Sequence, residues 1–477
     1  MVDARDIQPS ELFGRPLPKP PTVHDLLTDS AKSHGSKIAV ACLHQKSNYL
    51  SSMSSCDASK SNHLRWSFVE LLRASHAMAI ALADGGVKPG DVILAYVANG
   101  IEFHIITRAA LELNCPFAPL NPKTVENAKE TKHYLNVLKP AVVMVPDRVI
   151  SQSIIQSAPT EIERAKILLV YDGDCVTERW KDICSFVKNT SGSNSAIDSL
   201  QVKRNTEDVV LILFTSGTTS LPKGVPHSNT SLATIFINTH EVMKLDSSRV
   251  SGNHAPLSHG LGIIFFGMFH FAGAKVVHPS GSYDAGAGLA AIREEGVTDI
   301  PGVPAMISAM LEHPDFKKTD TSGLKCIVMG ATDILPEHFR RCTKELKAAE
   351  AMDEYGLSES GPVWMAPPDQ TPDESYPLLG AMLRVCDPET GEVLSRGEAG
   401  ELHLGGPQII TRYLLGESQD AEKANHAFMT IITDTGSRQG SSRHCRKRTH
   451  KDLRSIQGPG NSRWGEDCSK HYRRNLR

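Results

Sequence analysis

Short apolar runs separated by amphipathic stretches recur along most of this chain. Lys37-Ile-Ala-Val-Ala-Cys42, Ala141-Val-Val-Met-Val-Pro146, Ile167-Leu-Leu-Val-Tyr171 and Val209-Val-Leu-Ile-Leu-Phe214 have the length and apolar or β-branched content of buried strands. Val149 to Lys166 reads as partly helical, interrupted at Pro159. Thr22 is placed to cap a helix that begins Val23-His-Asp-Leu-Leu27. Ile263-Ile-Phe-Phe-Gly-Met-Phe-His-Phe271 is the most apolar stretch; it is far too short to span a bilayer and reads as a buried helix. Strands alternating with helices predict a parallel sheet covered by helices. Beyond about residue 365 the pattern becomes hairpin-like, and it ends near residue 415.

Polar segments divide this pattern. Residues 1–23 are Pro-rich and read as extended. The Ser-rich run within 46–64 reads as a disordered insertion, and 185–206 as a connector. No repeat of solenoid period is present. The chain has 477 residues, 40% hydrophobic and 22% charged, which is ordinary for a soluble globular protein. A net charge of −3 gives no case for nucleic acid as a partner. The start, Met1-Val-Asp-Ala-Arg-Asp6, has no apolar h-region of a secretory signal, and no run is long enough for a transmembrane segment. The ten cysteines include no CxxC pair, so a reduced intracellular protein is expected, cytoplasmic or peroxisomal.

Candidate chemistry concentrates in Phe214-Thr-Ser-Gly-Thr-Thr-Ser-Leu-Pro-Lys-Gly-Val225. A buried strand feeds a loop able to wrap a polyphosphate. Gly217 lets the backbone approach an anion, Thr215, Ser216, Thr218 and Thr219 supply hydroxyls, and Lys223 supplies a point charge. Walker A chemistry is excluded, because Gly224 follows the lysine where Ser or Thr is required. A Ser/Thr-rich surface turn is the bland alternative. Further on stands Asp353-Glu-Tyr-Gly-Leu-Ser-Glu-Ser360, where Tyr355 offers an aromatic face, Gly356 a tight turn, and Glu359 a hard oxygen ligand.

Together these runs resemble the signatures of the acyl-activating, adenylate-forming superfamily: acyl-CoA synthetases, luciferases and adenylation domains. Ser220 stands where that family usually has Gly, and Ser358 where it has Thr. The resemblance implies an α/β fold of two helix-covered, mostly parallel sheets plus a small β-barrel-like segment. It assigns residues 1–416 to the AMP-binding N-terminal domain. It implies ATP, Mg2+ and coenzyme A, with a small carboxylic acid as substrate. It gives the phosphates to Thr215, Ser216, Gly217, Thr218, Thr219 and Lys223, and the nucleotide to Gly330, Ala331, Asp353, Tyr355, Gly356 and Ser358. Catalysis falls to Lys223, Ser358 and Glu359, with Glu359 also the metal ligand.

The acid pocket is implied less sharply. Ala255-Pro-Leu-Ser-His-Gly260 brings His259 to its border, Pro301-Gly-Val-Pro304 brings Gly302 and Val303, and Val328-Met-Gly-Ala-Thr-Asp333 brings Gly330 and Ala331. Each of these also reads as a structural His or an ordinary turn. Gly397-Glu-Ala-Gly-Glu-Leu402, Gly405-Gly-Pro407 and Tyr413 read as a hairpin with no chemistry of their own. The acceptor thiol is coenzyme A or an acyl carrier of a polyketide or peptide synthase. A non-catalytic ATP-binding relic is the remaining alternative.

The likeness stops near Gly416. Residues 417–477 read as an aberrant basic tail in place of a lid domain, with Ser437 where Thr433-Asp-Thr-Gly should lead to an acid. Shifted by one base from Arg448, freely chosen codons spell Gly-Arg-Thr-Lys-Ile-Phe-Val-x-Phe-Lys-Gly-Gln-Glu-Ile, which resembles the family's hinge. A frame shift, a retained intron or a mis-called exon, and with it impaired activity, is therefore expected; a basic tail that binds acidic partners is the bland alternative.

Overall fold

The structure is a computed structural model. It describes residues 11–13, 18–53, 61–188, 200–215, 221–331, 336–365, 376–395, 398, 400–417, 428–431 and 442–447. In chain order the strands are β1 (Glu11–Phe13), β2 (Ile38–Lys46), β3 (His63–Ser67), β4 (Ile93–Tyr96), β5 (Phe117–Leu120), β6 (Val142–Val145), β7 (Ile167–Val170), β8 (Trp180–Asp182), β9 (Val209–Thr215) and β10 (Lys223–Ser228). They continue as β11 (Val250–Gly252), β12 (Lys275–His278), β13 (Asp299–Gly302), β14 (Cys326–Gly330), β15 (Glu350–Leu357), β16 (Gly361–Met365), β17 (Tyr376–Pro377), β18 (Met382–Cys386), β19 (Glu401–Gly405), β20 (Phe428–Ile431) and β21 (Ser442–Lys447).

Three sheets result. A seven-stranded sheet runs β10-β9-β5-β4-β6-β7-β8 and is parallel except for β10. A nine-stranded sheet runs β17-β16-β15-β14-β13-β11-β12-β2-β3, parallel from β15 to β2. A small antiparallel sheet runs β1-β18-β19-β21-β20. Two helix-covered, mostly parallel sheets and a small third one are the architecture that the resemblance implies.

The helices begin where local chemistry permits. In α1 (Val23–Ser33) Thr22 accepts from the Asp25 amide at 3.2 Å. In α2 (Phe68–Asp84) Ser67 and Glu70 form a reciprocal capping box. The stretch interrupted at Pro159 is two helices, α5 (Arg148–Ser157) and α6 (Pro159–Ile162); α3 (Ile101–Glu112) and α4 (Ala128–Leu138) precede them and α7 (Ile183–Lys188) follows. Beyond β10 come α8 (Asn229–Met243), α9 (Gly260–Phe271), α10 (Ala285–Glu295), α11 (Pro304–Glu312) and α12 (Pro336–Leu346).

The apolar run that reads as a buried helix is α9. It is apolar on every side because it is packed on every side, in one core with residues of both large sheets. Gly267 permits that packing, since a Cβ there would lie 2.0 Å from Phe236 Cζ of α8. Gly267→Ala is therefore expected to lower stability by roughly 1–3 kcal/mol, read as a fall in the urea midpoint.

Of the stretch expected to be a disordered insertion, 47–53 form turns that bury Leu50 and Met53 in the same core, while 54–60 lie outside the described residues. Within 417–477, the described backbone of β21 pairs with β19, and β20 with β21; apart from Glu417 the rest, including Ser437, lies outside the described residues.

Candidate functional site

Strands β9 and β10 form an antiparallel hairpin in which Thr215 faces Lys223 across the ladder. The hydroxyl- and glycine-bearing loop is the connection of that hairpin; Ser216, Gly217, Thr218 and Thr219 lie outside the described residues. Next to Lys223, Gly224 exchanges two backbone hydrogen bonds with Leu414, of 2.9 and 2.8 Å. A Cβ on Gly224 would lie 3.0 Å from Leu414 Cβ, so this glycine serves a close chain approach.

That pairing makes Lys223 and Tyr413 neighbours, with Lys223 Nζ 4.7 Å from the centre of the Tyr413 ring. The Tyr413 hydroxyl donates to Glu359 Oε1 at 2.6 Å. Glu359 is buried, and its carbonyl accepts from the Ile410 amide at 3.0 Å. Lys223 of the first motif and Glu359 of the second are thus joined through one tyrosine.

A second link lies beneath the first. Burial lowers the pKa of His227 to about 4, so it is neutral near pH 7. Its Nε2–H then donates to the Ser358 carbonyl at 2.7 Å. Its Nδ1 meets Ser231 Oγ at 2.7 Å, and that hydroxyl also lies 2.7 Å from the Gln408 carbonyl. Ser358 is therefore held by its backbone against β10, apart from its side-chain hydroxyl.

The remaining candidates lie along the carboxyl edge of the nine-stranded sheet, the usual ligand-binding edge of an open α/β sheet. Asp353, Tyr355 and Gly356 belong to β15. Tyr355 is half-buried against the apolar cluster that contains Val363, Leu404 and Ile409. A Cβ on Gly356 would lie 2.3 Å from the Gly361 carbonyl oxygen, so the fold-back of β15 onto β16 already demands glycine. Gly330 ends β14, and Ala331 follows with φ of +64°. His259 is exposed and precedes the first turn of α9. Val303 is half-buried at the start of α11. Gly302 faces α11, since its Cβ would meet Ile307 Cδ1 at 3.4 Å.

Asn99 couples the two large sheets at this edge. Its side chain donates to the Ala255 carbonyl at 3.0 Å and accepts from the Leu257 amide at 2.9 Å. Its own amide donates to the Gly281 carbonyl at 3.0 Å. The segment that leads to His259 is thereby fixed to the end of β4. Replacing Asn99 by Ala strands a buried amide and a buried carbonyl. We expect a loss of about 2–4 kcal/mol in stability, measured as a shift of the urea midpoint.

Glu354, one residue before Tyr355, is buried; burial and the neighbouring Asp353 push its pKa up to about 7. Sequence reasoning assigns no role to Glu354, although it lies inside the second motif, and no chemistry to His227 or Asn99. His227 carried one signal, a polar residue on a strand that continues the apolar run of β9 across a hairpin.

Comparisons with known proteins bear on the family and the fold. A family model described as AMP-binding enzyme matches residues 27–414. A probable CoA ligase of Humulus lupulus is 24% identical over 375 residues, covering 76% of this chain and 65% of its own length. An acyl-CoA ligase of Pestalotiopsis microspora is 23% identical over 436 residues, covering 86% of this chain and 75% of its own. The chain thus spans about two thirds of the length of the first of these relatives and three quarters of the second. A solved long-chain-fatty-acid-CoA ligase from Archaeoglobus fulgidus superposes with a TM-score of 0.73 at 19% identity, over 92% of this chain and 84% of that one. The luciferase-like enzyme of the mealworm Zophobas morio gives 0.72 at 16% identity, over 93% and 99%. At these identities the structural likeness speaks for the fold.

Proposed function

Because the chain belongs to the AMP-binding enzyme family, we propose that it activates a small carboxylic acid with ATP and passes the acyl group to a thiol. In the first half-reaction a carboxylate oxygen attacks the α-phosphorus, and the bond from that phosphorus to the pyrophosphate oxygen breaks. In the second, the thiol sulfur attacks the acyl carbon, AMP leaves, and the thiol proton passes to solvent. Coenzyme A is the thiol favoured by the names of the relatives.

The observation that carries this reading is the Lys223–Tyr413–Glu359 connection. It sets a cation for the leaving pyrophosphate beside a carboxylate suited to a hard metal ion. In this reading Thr215, Ser216, Gly217, Thr218, Thr219 and Lys223 hold the β- and γ-phosphates. Tyr355 carries the adenine, with Asp353, Gly356, Gly330 and Ala331 around the nucleotide, and the Ser358 hydroxyl braces the α-phosphate. His259, Gly302 and Val303 border the acid. Positioning and charge stabilisation are then the whole of the catalysis required of the protein.

The residues present fit Mg2+ as such a site would use it. Among the described residues no group of three or more His, Cys, Asp or Glu forms a cage. A magnesium ion carried mainly by phosphate and water oxygens needs one or two carboxylates, and Glu359, one oxygen held by Tyr413, supplies one. Bound there, the ion would neutralise charge on the phosphates.

Acid-dependent release of pyrophosphate from ATP, screened over a panel of acids, tests the proposal. Coenzyme A and a phosphopantetheinyl carrier are then compared as acceptors. ATP binding without acid-dependent release across the panel would mark a nucleotide-binding relic.

A further inference from the structure

A carboxyl group buried without a partner is costly, and chains retain one where a ligand completes it. Glu354 is such a group. It is 9% exposed, and its Oε2 has no hydrogen-bond partner among the described residues. Its partner across the ladder is Gly330. A Cβ on Gly330 would lie 3.1 Å from Glu354 Cβ, so any other residue there would crowd the place where the carboxyl begins.

Strand alternation sets the direction. Val328 and Met352, two residues before Gly330 and Glu354, pack in one core with Phe265 and Phe269 of α9. Ile327 and Met329, on the other face, pack with Ile307 and Phe339. Glu354 and Gly330 therefore share the α9 face, at the sheet edge where His259 opens that helix.

We propose that Glu354 lines the acid-binding pocket and selects carboxylic acids that carry a hydrogen-bond donor, a hydroxyl or an amino group, on their carbon skeleton. The assignment rests on the adenylation reading and names its substrate class. A donor-bearing acid pairs the orphan oxygen. An unsubstituted acid dehydrates that oxygen and leaves it unpaired, which is the strongest basis for rejection available to a small pocket.

The test compares hexanoate, 6-hydroxyhexanoate and 6-aminohexanoate, and the matching phenylpropanoates, by calorimetry in the presence of AMP. The same samples are assayed for pyrophosphate release from ATP. Wild type is expected to bind a donor-bearing acid about ten- to a hundredfold more tightly than its unsubstituted parent. Glu354→Gln should keep a preference for the hydroxyl and lose one for the ammonium. Glu354→Leu should favour the unsubstituted acid, with ATP affinity unchanged. If Glu354→Leu does not fold, wild type and Glu354→Gln carry the comparison. The proposal is overturned if wild type binds parent and donor-bearing acids equally, binds no donor-bearing acid, or if substitution weakens every acid alike. Discrimination in binding without pyrophosphate release would sustain this pocket and sink adenylation. Release without discrimination would do the reverse.

Discussion

Lowering the pH from 7 towards 5 is expected to unfold this protein at ordinary temperature, because its core is built around neutral histidines. Burial lowers His24, His227 and His254 to about 4 and His278 to about 3, and takes His104 and His270 well below their ordinary value. Three of these form a chain: His104 Nε2 lies 2.7 Å from His278 Nε2, and the His104 and His270 rings stand 5.1 Å apart. Arg108, itself buried, donates to His270 Nδ1 at 3.0 Å, so that nitrogen cannot carry a proton.

The sign follows from proton counting. Below an unfolded pKa of about 6.5 the unfolded chain takes up protons on these imidazoles and the folded chain does not. Their stabilisation is thus complete above that pH and is lost as the pH falls towards the folded values. Two carboxyls act the other way, since burial raises Glu102 and Glu354. The lowered imidazoles, which also include His44, His240 and His259, outnumber the raised carboxyls, and each net proton contributes up to about 1.4 kcal/mol per pH unit. A domain stable by about 5–15 kcal/mol is exhausted within a few pH units. Calorimetric Tm measured between pH 8 and 5 should fall steeply below pH 6.5, and His278→Asn should flatten the slope. A Tm that holds constant down to pH 5.5 would refute the neutral-core account.

The parts of this molecule that could be read from its sequence are those with local causes. The strand before the phosphate loop, the Thr22 cap and the break at Pro159 each depend on neighbours in the chain. The two candidate motifs were visible because polar, glycine-bearing residues interrupt apolar runs. What escaped depends on distant partners. Tyr413 meets Glu359 across 54 residues, His227 meets Ser358 across 131, and Asn99 meets Leu257 across 158. Tyr413 was read as part of a plain hairpin because nothing local marks the pairing of Leu414 with Gly224. Gly356 reads as a tight turn, and the Gly361 carbonyl does exclude a side chain there; Gly224 reads only as a departure from Walker A, and its need, the close approach of Leu414, is not local. Leu50 and Met53 sit in a Ser-rich run whose composition hides two buried anchors.

The largest effect on activity is expected at the contact that joins the motifs. Lys223→Ala removes the one positive charge of the first motif, proposed to meet the pyrophosphate, while its ring neighbour and strand pairing remain. Loss of one preorganised charge contact of this kind costs about a hundred- to a thousandfold in turnover. Glu359→Gln keeps an acceptor for the Tyr413 hydroxyl and removes the charge proposed to bind the metal; a similar loss is expected, partly offset by raised Mg2+. Tyr413→Phe keeps the ring under Lys223 and frees the carboxylate, so about a tenfold loss is expected from disorder of Glu359 alone. Because Tyr413 acts through Glu359, the double substitution should cost little more than Glu359→Gln by itself. Rates of acid-dependent pyrophosphate release, with Tm recorded for each variant, decide the matter. Additive losses would mean that Tyr413 and Glu359 serve separate ends, and full turnover by Lys223→Ala would remove the hairpin from the chemistry.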